Sequence, residues 1–414
     1  MLLLTEVFTI ILFFPSFRVF TPLFLFPFGS FRATIVSFIL AIIYGSLVAF
    51  RLFNHFMNDG PKKFFQQINI RHKRPTIIDD PIYGEHCYYK VKDDVRIHYV
   101  DSGDIDRPII FFLHGFPECW FSWRYQLQEF RKDYRTIAIS LRGYGDSDKP
   151  SNLSAYSITT LIDDYYELIQ HTTKSSRHKD QKIIMIGHDW GGLIAWYFTM
   201  LYPELIDKLI IMNASHPAIF IRHIQNDWQQ FLQSWFIFFF QLPWLPELMF
   251  RCNDMKIFEK MFGPFIRDEQ ELDVYKYYFQ TFLDCQCPIN YYRAFIRGYG
   301  HHDLLKRLNQ AKRSFESSLI DTTTLIIWSD QNAINITNTT ATTDVQCMIP
   351  SLVRESAMLC RKSIIKFINN GSHWIHFEKP REINQIIRQF LSNALPPHEH
   401  VNDGGGGGKN NSGS

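Results

Sequence analysis

Three times in this chain a run of β-branched and aromatic residues empties directly into a loop rich in glycine: "RPIIFFLHGFP" (107–117), "YRTIAISLRGYGDSDKP" (134–150) and "KIIMIGHDWGG" (182–192). Such runs are apolar at nearly every position, as strands covered on both faces of a sheet must be, and helical sequence such as 157–171 lies between them. Strands alternating with helices predict an α/β fold whose mostly parallel sheet carries its ligand site at the C-terminal ends of the strands. "YYKVKDDVRIHYVDSG" (88–103) alternates as a hairpin does, and "DKLIIMNASHP" (207–217) reads as a further strand. From 218 to 315 strand signals thin out and Trp, Phe, Tyr and Gln dominate; "SLIDTTTLIIWSD" (318–330) and "RKSIIKFINNGSHW" (361–374) then resume the strand-to-loop form. The chain therefore divides into a core of 81–217 and 316–395 and a helical cap, 218–315, inserted between strands. The Thr/Asn-rich 331–347 reads as a loop, and 396–414 as a disordered, low-complexity tail.

The first 55 residues form a hydrophobic region, followed by a polar connector over 56–80. Within it "ATIVSFILAIIYGSLVAF" (33–50) carries no charge and is bounded by Arg32 and Arg51, which suits one bilayer crossing. The preceding thirty residues are interrupted by Pro15, Arg18, Pro22 and Pro27, and read as an interfacial stretch or a second, weaker span. A single-pass anchor in the endoplasmic reticulum membrane is the expectation, with a cleaved signal peptide as the alternative. Basic residues lean weakly towards a cytosolic C-terminal domain, whereas the sequons at 335, 338 and 370 would be used only in a lumenal one.

Composition excludes several classes of partner. Forty-three basic residues against 41 acidic, with no long run of either sign, leave no footprint for nucleic acid. Seven scattered cysteines, with Cys285-Gln286-Cys287 as a lone C-x-C, give no zinc spacing, so neither metal nor cofactor is expected and the thiols read as reduced. Small apolar molecules and membrane lipid remain; the oligomeric state stays open.

Gly187-His188-Asp189-Trp190-Gly191 follows a strand and precedes the helix-like "GLIAWYFTMLYP", which is the context of a nucleophile elbow. Ordinary elbows carry serine. A serine alkylated at an sp³ carbon would be an inert ether, whereas alkylated Asp189 is an ester that water activated by histidine can cleave. The residue type thus points to alkyl electrophiles, epoxides or alkyl halides. Two strands upstream, His114-Gly115-Phe116-Pro117 offers the Phe116 N–H, which with that of Trp190 could converge on an oxyanion. Gly371-Ser372-His373-Trp374 follows the last strand and offers His373 as base. His188 reads as packing beside the turn, and His301-His302-Asp303 as cap surface.

Five separated segments, "HGFPECWFSWRYQ", "LRGYGDSDKP", "GHDWGGLIAWYF", "PINYYRAF" and "GSHW", together resemble the epoxide hydrolases of the α/β-hydrolase fold, particularly their membrane-anchored animal branch (epoxide hydrolase 3/4-like), over roughly residues 75–395. The resemblance implies that Asp189 is the nucleophile, His373 the activator of water and Tyr292 a proton donor to the epoxide oxygen, with Tyr291 packing. Two positions depart from the family pattern. Phe236 stands where a second cap tyrosine belongs, and the acid that orients the histidine falls on Asn332, with Asp330 two residues earlier as a substitute. No acid occupies the other familiar place, where Asn213 stands. Three functions remain open at this stage: an epoxide hydrolase of (lipid) epoxides with a weakened second step, an impaired homologue that binds a lipid or partner, and a haloalkane dehalogenase.

Overall fold

The computed structural model describes residues 31–65, 73–174, 181–266, 268–330, 333–334, 345–346 and 348–394. An eight-stranded sheet organises them, in the order β1-β2-β4-β3-β5-β6-β7-β10: β1 (Glu85–Lys90), β2 (Arg96–Ser102), β3 (Ile109–Leu113), β4 (Arg135–Ile139), β5 (Ile183–His188), β6 (Ile206–Met212), β7 (Thr323–Ser329) and β10 (Ser363–Ile368). Strands β1 and β2 form the predicted hairpin and β2 runs antiparallel to β4; the remaining pairs are parallel. Every residue of β3, β4 and β5 is buried, as in strands covered on both faces, which is why these strands show no in–out alternation. The loop after β7 is closed by a minimal hairpin of β8 (Ala333–Ile334) with β9 (Val345–Gln346). The first thirty residues, Asn332, two of the sequons and the tail lie outside the described residues.

The N-terminal apolar segment is helix α1 (Phe31–Phe64). It extends beyond the expected anchor and takes up the first part of the predicted connector, because nothing before Gly60 stops it. There the backbone adopts φ 77°, and Pro61 starts a last turn. Among the described residues it is the one helix long and apolar enough to cross a membrane.

In the core, α2 (Arg124–Phe130), α3 (Ile158–Lys174) and α4 (Trp190–Leu201) cover the sheet. Between β6 and β7 the chain leaves it for a run of helices: α5 (Pro217–Asn226), α6 (Trp228–Gln233), α7 (Trp235–Phe239), α8 (Leu245–Phe262, broken at Cys252–Met255), α9 (Glu269–Tyr278), α10 (Phe282–Ile296) and α11 (His301–Gln310). The six described cysteines are free thiols, Cys285 and Cys287 being buried in α10.

Polar ties fix the cap over the strand ends. Arg124 of α2, buried, grips Glu271 of α9 through Nε (3.1 Å) and Nη2 (2.8 Å), and Tyr291 donates to the Arg142 carbonyl (2.7 Å). Asp146, in the loop after β4, receives Arg74 of the connector at 2.8 Å on both oxygens and the Tyr278 hydroxyl at 2.7 Å. Connector, core and cap thus meet on one carboxylate. Removing Glu271 strands a buried guanidinium, so Glu271→Leu is expected to cost about 3 kcal/mol in denaturant unfolding, most of it restored by adding Arg124→Met. Equal stability of the single and double variants would contradict this.

Candidate active site

Strand β5 ends at His188, and the next residue makes the sharp turn. Asp189 sits at φ 50°, ψ −119°, a conformation costly for any residue with a Cβ, and it forms the N-cap position of α4. Neighbouring structure enforces it. The Asp189 N–H donates to the Met212 carbonyl of β6 (3.3 Å), its carbonyl accepts the first helical bond from Leu193 (2.9 Å), and a Cβ on Gly191 would stand 2.2 Å from the Leu113 carbonyl oxygen. Only glycine at 191 lets α4 approach the end of β3 this closely.

That approach brings the loop after β3 onto the carboxylate. The Phe116 N–H donates to Asp189 Oδ1 at 2.8 Å, while Oδ2 lies 3.5 Å from His373 Nε2. Trp190 starts the helix, so its N–H is one of the four that a helix leaves without an internal acceptor. Burial alone would raise the Asp189 pKa, but the His373 hydrogen bond and charge, the His188 charge and the Phe116 N–H together hold it below the ordinary carboxylate value. Burial lowers the His373 pKa; the hydrogen bond to Asp189 works the other way without cancelling it. An ionised carboxylate therefore faces a histidine that stays neutral to a lower pH than usual.

His373 is held from behind. Its carbonyl accepts the Asn213 amide (Nδ2, 2.8 Å) and His188 Nε2 (2.8 Å), and Asn213 Oδ1 in turn accepts the Ser329 N–H at the end of β7 (2.9 Å). His188 Nδ1 lies 3.2 Å from Glu118 Oε1, and Glu118 Oε2 accepts the Gly115 N–H at 2.8 Å. His376 Nε2 is 3.6 Å from the same Oε1, and all three side chains are completely buried. Burial disfavours a proton on His188, but Glu118, with smaller help from Asp189 and the His373 carbonyl, offsets it, and its pKa ends above the ordinary histidine value. Burial pushes His376 well below it. In sequence alone Glu118 and His376 carry no assigned role, His188 reads as packing and Asn213 as an absent acid. A signal for Glu118 existed: it is the one charged residue within the buried stretch 109–123.

A cavity of about 1140 Å³, its mouth included, opens over Asp189 and His373. Its wall is almost wholly apolar, with Phe116, Trp190, Phe236, Phe240 and Tyr292 around the carboxylate. Tyr292 is buried edge-on against its neighbours, with ring centres 5.0 Å from Trp190 and from Phe240 and 5.8 Å from Phe236. The structure thus gathers Asp189, His373, Phe116, Trp190, Tyr292 and Phe236 around one space. Asp330 is exposed at the end of β7, its N–H bonded to the Ile368 carbonyl, and the carboxylates acting most strongly on His373 are Asp189 and Glu118. Asn332 lies outside the described residues. His301, His302 and Asp303 open α11, where Asp303 pairs with Arg307 (2.9 Å). Two groups, Glu118/His188/His376 and His86/His98/Asp146, place donor atoms within 4.8 Å of one another. In each, the carboxylate and a histidine already serve hydrogen bonds within the protein.

Residues 108–380 match the family described as the alpha/beta hydrolase fold. Over 347 residues the chain is 33% identical to epoxide hydrolase 4 of Homo sapiens, an overlap of 81% of this chain and 86% of that protein. It is 33% identical to epoxide hydrolase 1 of Caenorhabditis elegans over 382 residues, 88% and 85% of the respective chains. A Bacillus megaterium epoxide hydrolase solved in complex with an inhibitor superposes with a TM-score of 0.60 at 26% identity, covering 74% of this chain and 100% of that one.

Because the Asp189 hydrogen bond and charge raise the His373 pKa, Asp189→Asn is expected to lower it further, measured by NMR titration of ¹⁵N-labelled imidazole. A rise would mean that the two groups do not interact.

Proposed function

The chain belongs to the epoxide hydrolase family of the α/β-hydrolase fold, and we propose that it converts apolar epoxides to vicinal diols through an ester on Asp189. The observation that carries this reading is the asymmetry of one carboxylate, with Oδ1 bound by the Phe116 N–H and Oδ2 beside His373 at the floor of an apolar cavity. In the first step Oδ2 attacks the less hindered epoxide carbon, the ring C–O bond breaks, and the Tyr292 hydroxyl protonates the oxygen released. Oδ1, already at a hydrogen-bond donor, becomes the ester carbonyl.

In the second step His373 takes a proton from water, whose oxygen adds to the Asp189 carboxyl carbon. The Phe116 and Trp190 N–H groups face the oxyanion, the diol oxygen leaves with the proton held by His373, and the other water proton, left on the Asp189 carboxyl, returns to the Tyr292 phenolate. Esterification also removes the Asp189 charge, which favours the neutral imidazole that this step requires. The wall lined by phenylalanine and tryptophan suits epoxides that partition into lipid.

The departures at Phe236 and Asn332 weigh on different steps. Phe236 removes one of two hydroxyls that would assist ring opening. Asn332 can orient His373 through its amide oxygen but brings no charge to the imidazolium, so the second step is the slower one. Among the described residues, the other carboxylate acting on His373 is Glu118, which His188 and His376 already share.

Intact-protein mass spectrometry during turnover of a fatty-acid epoxide is expected to find a one-substrate adduct on Asp189. In ¹⁸O-water the first turnover should place unlabelled carboxylate oxygen in the diol. Asn332→Asp should raise turnover by about tenfold or more and abolish the adduct; Phe236→Tyr should speed only adduct formation. Normal turnover without any adduct would refute the slow second step, halide release from alkyl halides without diol formation would assign a dehalogenase, and binding without either product would leave a carrier of apolar ligands.

A further inference from the structure

Helix α1 is not free along its apolar length. Ser37, Leu40, Ala41, Tyr44 and Gly45 form a buried stripe at helical spacing, packed on the cap at α7 and the start of α8. The packing is close. A Cβ on Gly45 would stand 2.1 Å from a Leu242 methyl, the Tyr44 and Trp235 rings are 6.2 Å apart, and the Arg297 guanidinium lies 6.0 Å from the centre of the Phe38 ring. The opposite face carries Ile35, Ile39, Ile42, Ile43, Phe50 and Phe53, exposed by 43 to 57%. Beside Gly45, across the Leu242–Leu245 turn, Trp244 is 71% exposed.

This packing conflicts with a bilayer crossing. From Ser37 to Val48 the docked stretch rises about 16 Å, half of a hydrocarbon core of about 30 Å. A helix spanning on 33–50 would carry the cap to that depth. The Leu242–Leu245 turn, with Trp244 at φ 63°, would then expose irregular backbone to lipid, and Arg297, bonded to Gln241 at 3.3 Å, would enter hydrocarbon.

We propose that α1 does not cross the bilayer but lies in one leaflet, and that its outer face and Trp244 form one membrane-docking surface that seats the cap on the lipid interface. The occupant is a bilayer surface rather than a protein groove, because the stretch 33–50 carries no charge, and because an exposed tryptophan beside such an apolar row suits the interface. The cavity wall at Trp235 then backs directly onto the membrane-bound helix.

Full-length Ser30→Cys and Asn54→Cys variants in sealed microsomes, treated with a membrane-impermeant maleimide and read by peptide mass spectrometry, test this at both ends of the apolar stretch. Labelling of both from the same side, without detergent, is expected; labelling of one only after detergent means that α1 spans and overturns the proposal. In the same membranes Gly45→Cys/Leu242→Cys should oxidise to a disulfide, and its absence overturns the packing on the cap. A bimane on Trp244→Cys should be quenched by phospholipids brominated high in the acyl chain; no quenching removes the cap from the surface.

Discussion

The site rests on a close approach between a helix and a strand end. Gly191 leaves the first turn of α4 against the Leu113 carbonyl, and this contact forces Asp189 into its strained turn above the sheet. With the carboxylate raised there, the loop after β3 can present the Phe116 N–H to Oδ1, and the loop after β10 can bring His373 to Oδ2. Each partner comes from the C-terminal end of a different parallel strand, so their spacing follows the pitch of the sheet.

Electrostatics at the site is arranged in two layers. Above, an ionised Asp189 and a neutral His373 are pushed to those states by opposed effects, in which burial favours neutrality for both and mutual contact favours the carboxylate. Below, Glu118 supports a raised His188 pKa, and His188 and Asn213 together fix the carbonyl of His373. A buried charge is tolerable only when it is paired and hydrogen-bonded, and here the pairing also sets the height of the histidine that faces Asp189.

The cap contributes selectivity through what it lacks. Phe236, Phe240, Trp190 and Phe116 surround Tyr292, so polar atoms at the cavity wall are few and a molecule entering must be mostly apolar. The same cap helices receive α1.

The sequence by itself determined the strands, the elbow that carries Asp189, and the order of Asp189 and His373 along the chain. These are local properties: uninterrupted apolar runs signal strands buried on both faces, and an aspartate in an elbow pattern speaks for itself. The hairpin and the capping helices were legible for the same reason. Only the tertiary structure decided what Glu118, His188, His376 and Asn213 do, because their partners lie far along the chain, up to 185 residues away for His188 and the carbonyl of His373. It also showed that one face of the apolar N-terminal helix packs on the cap. Hydropathy measures how well a helix suits lipid, but it does not register that one face of that helix is already occupied by protein.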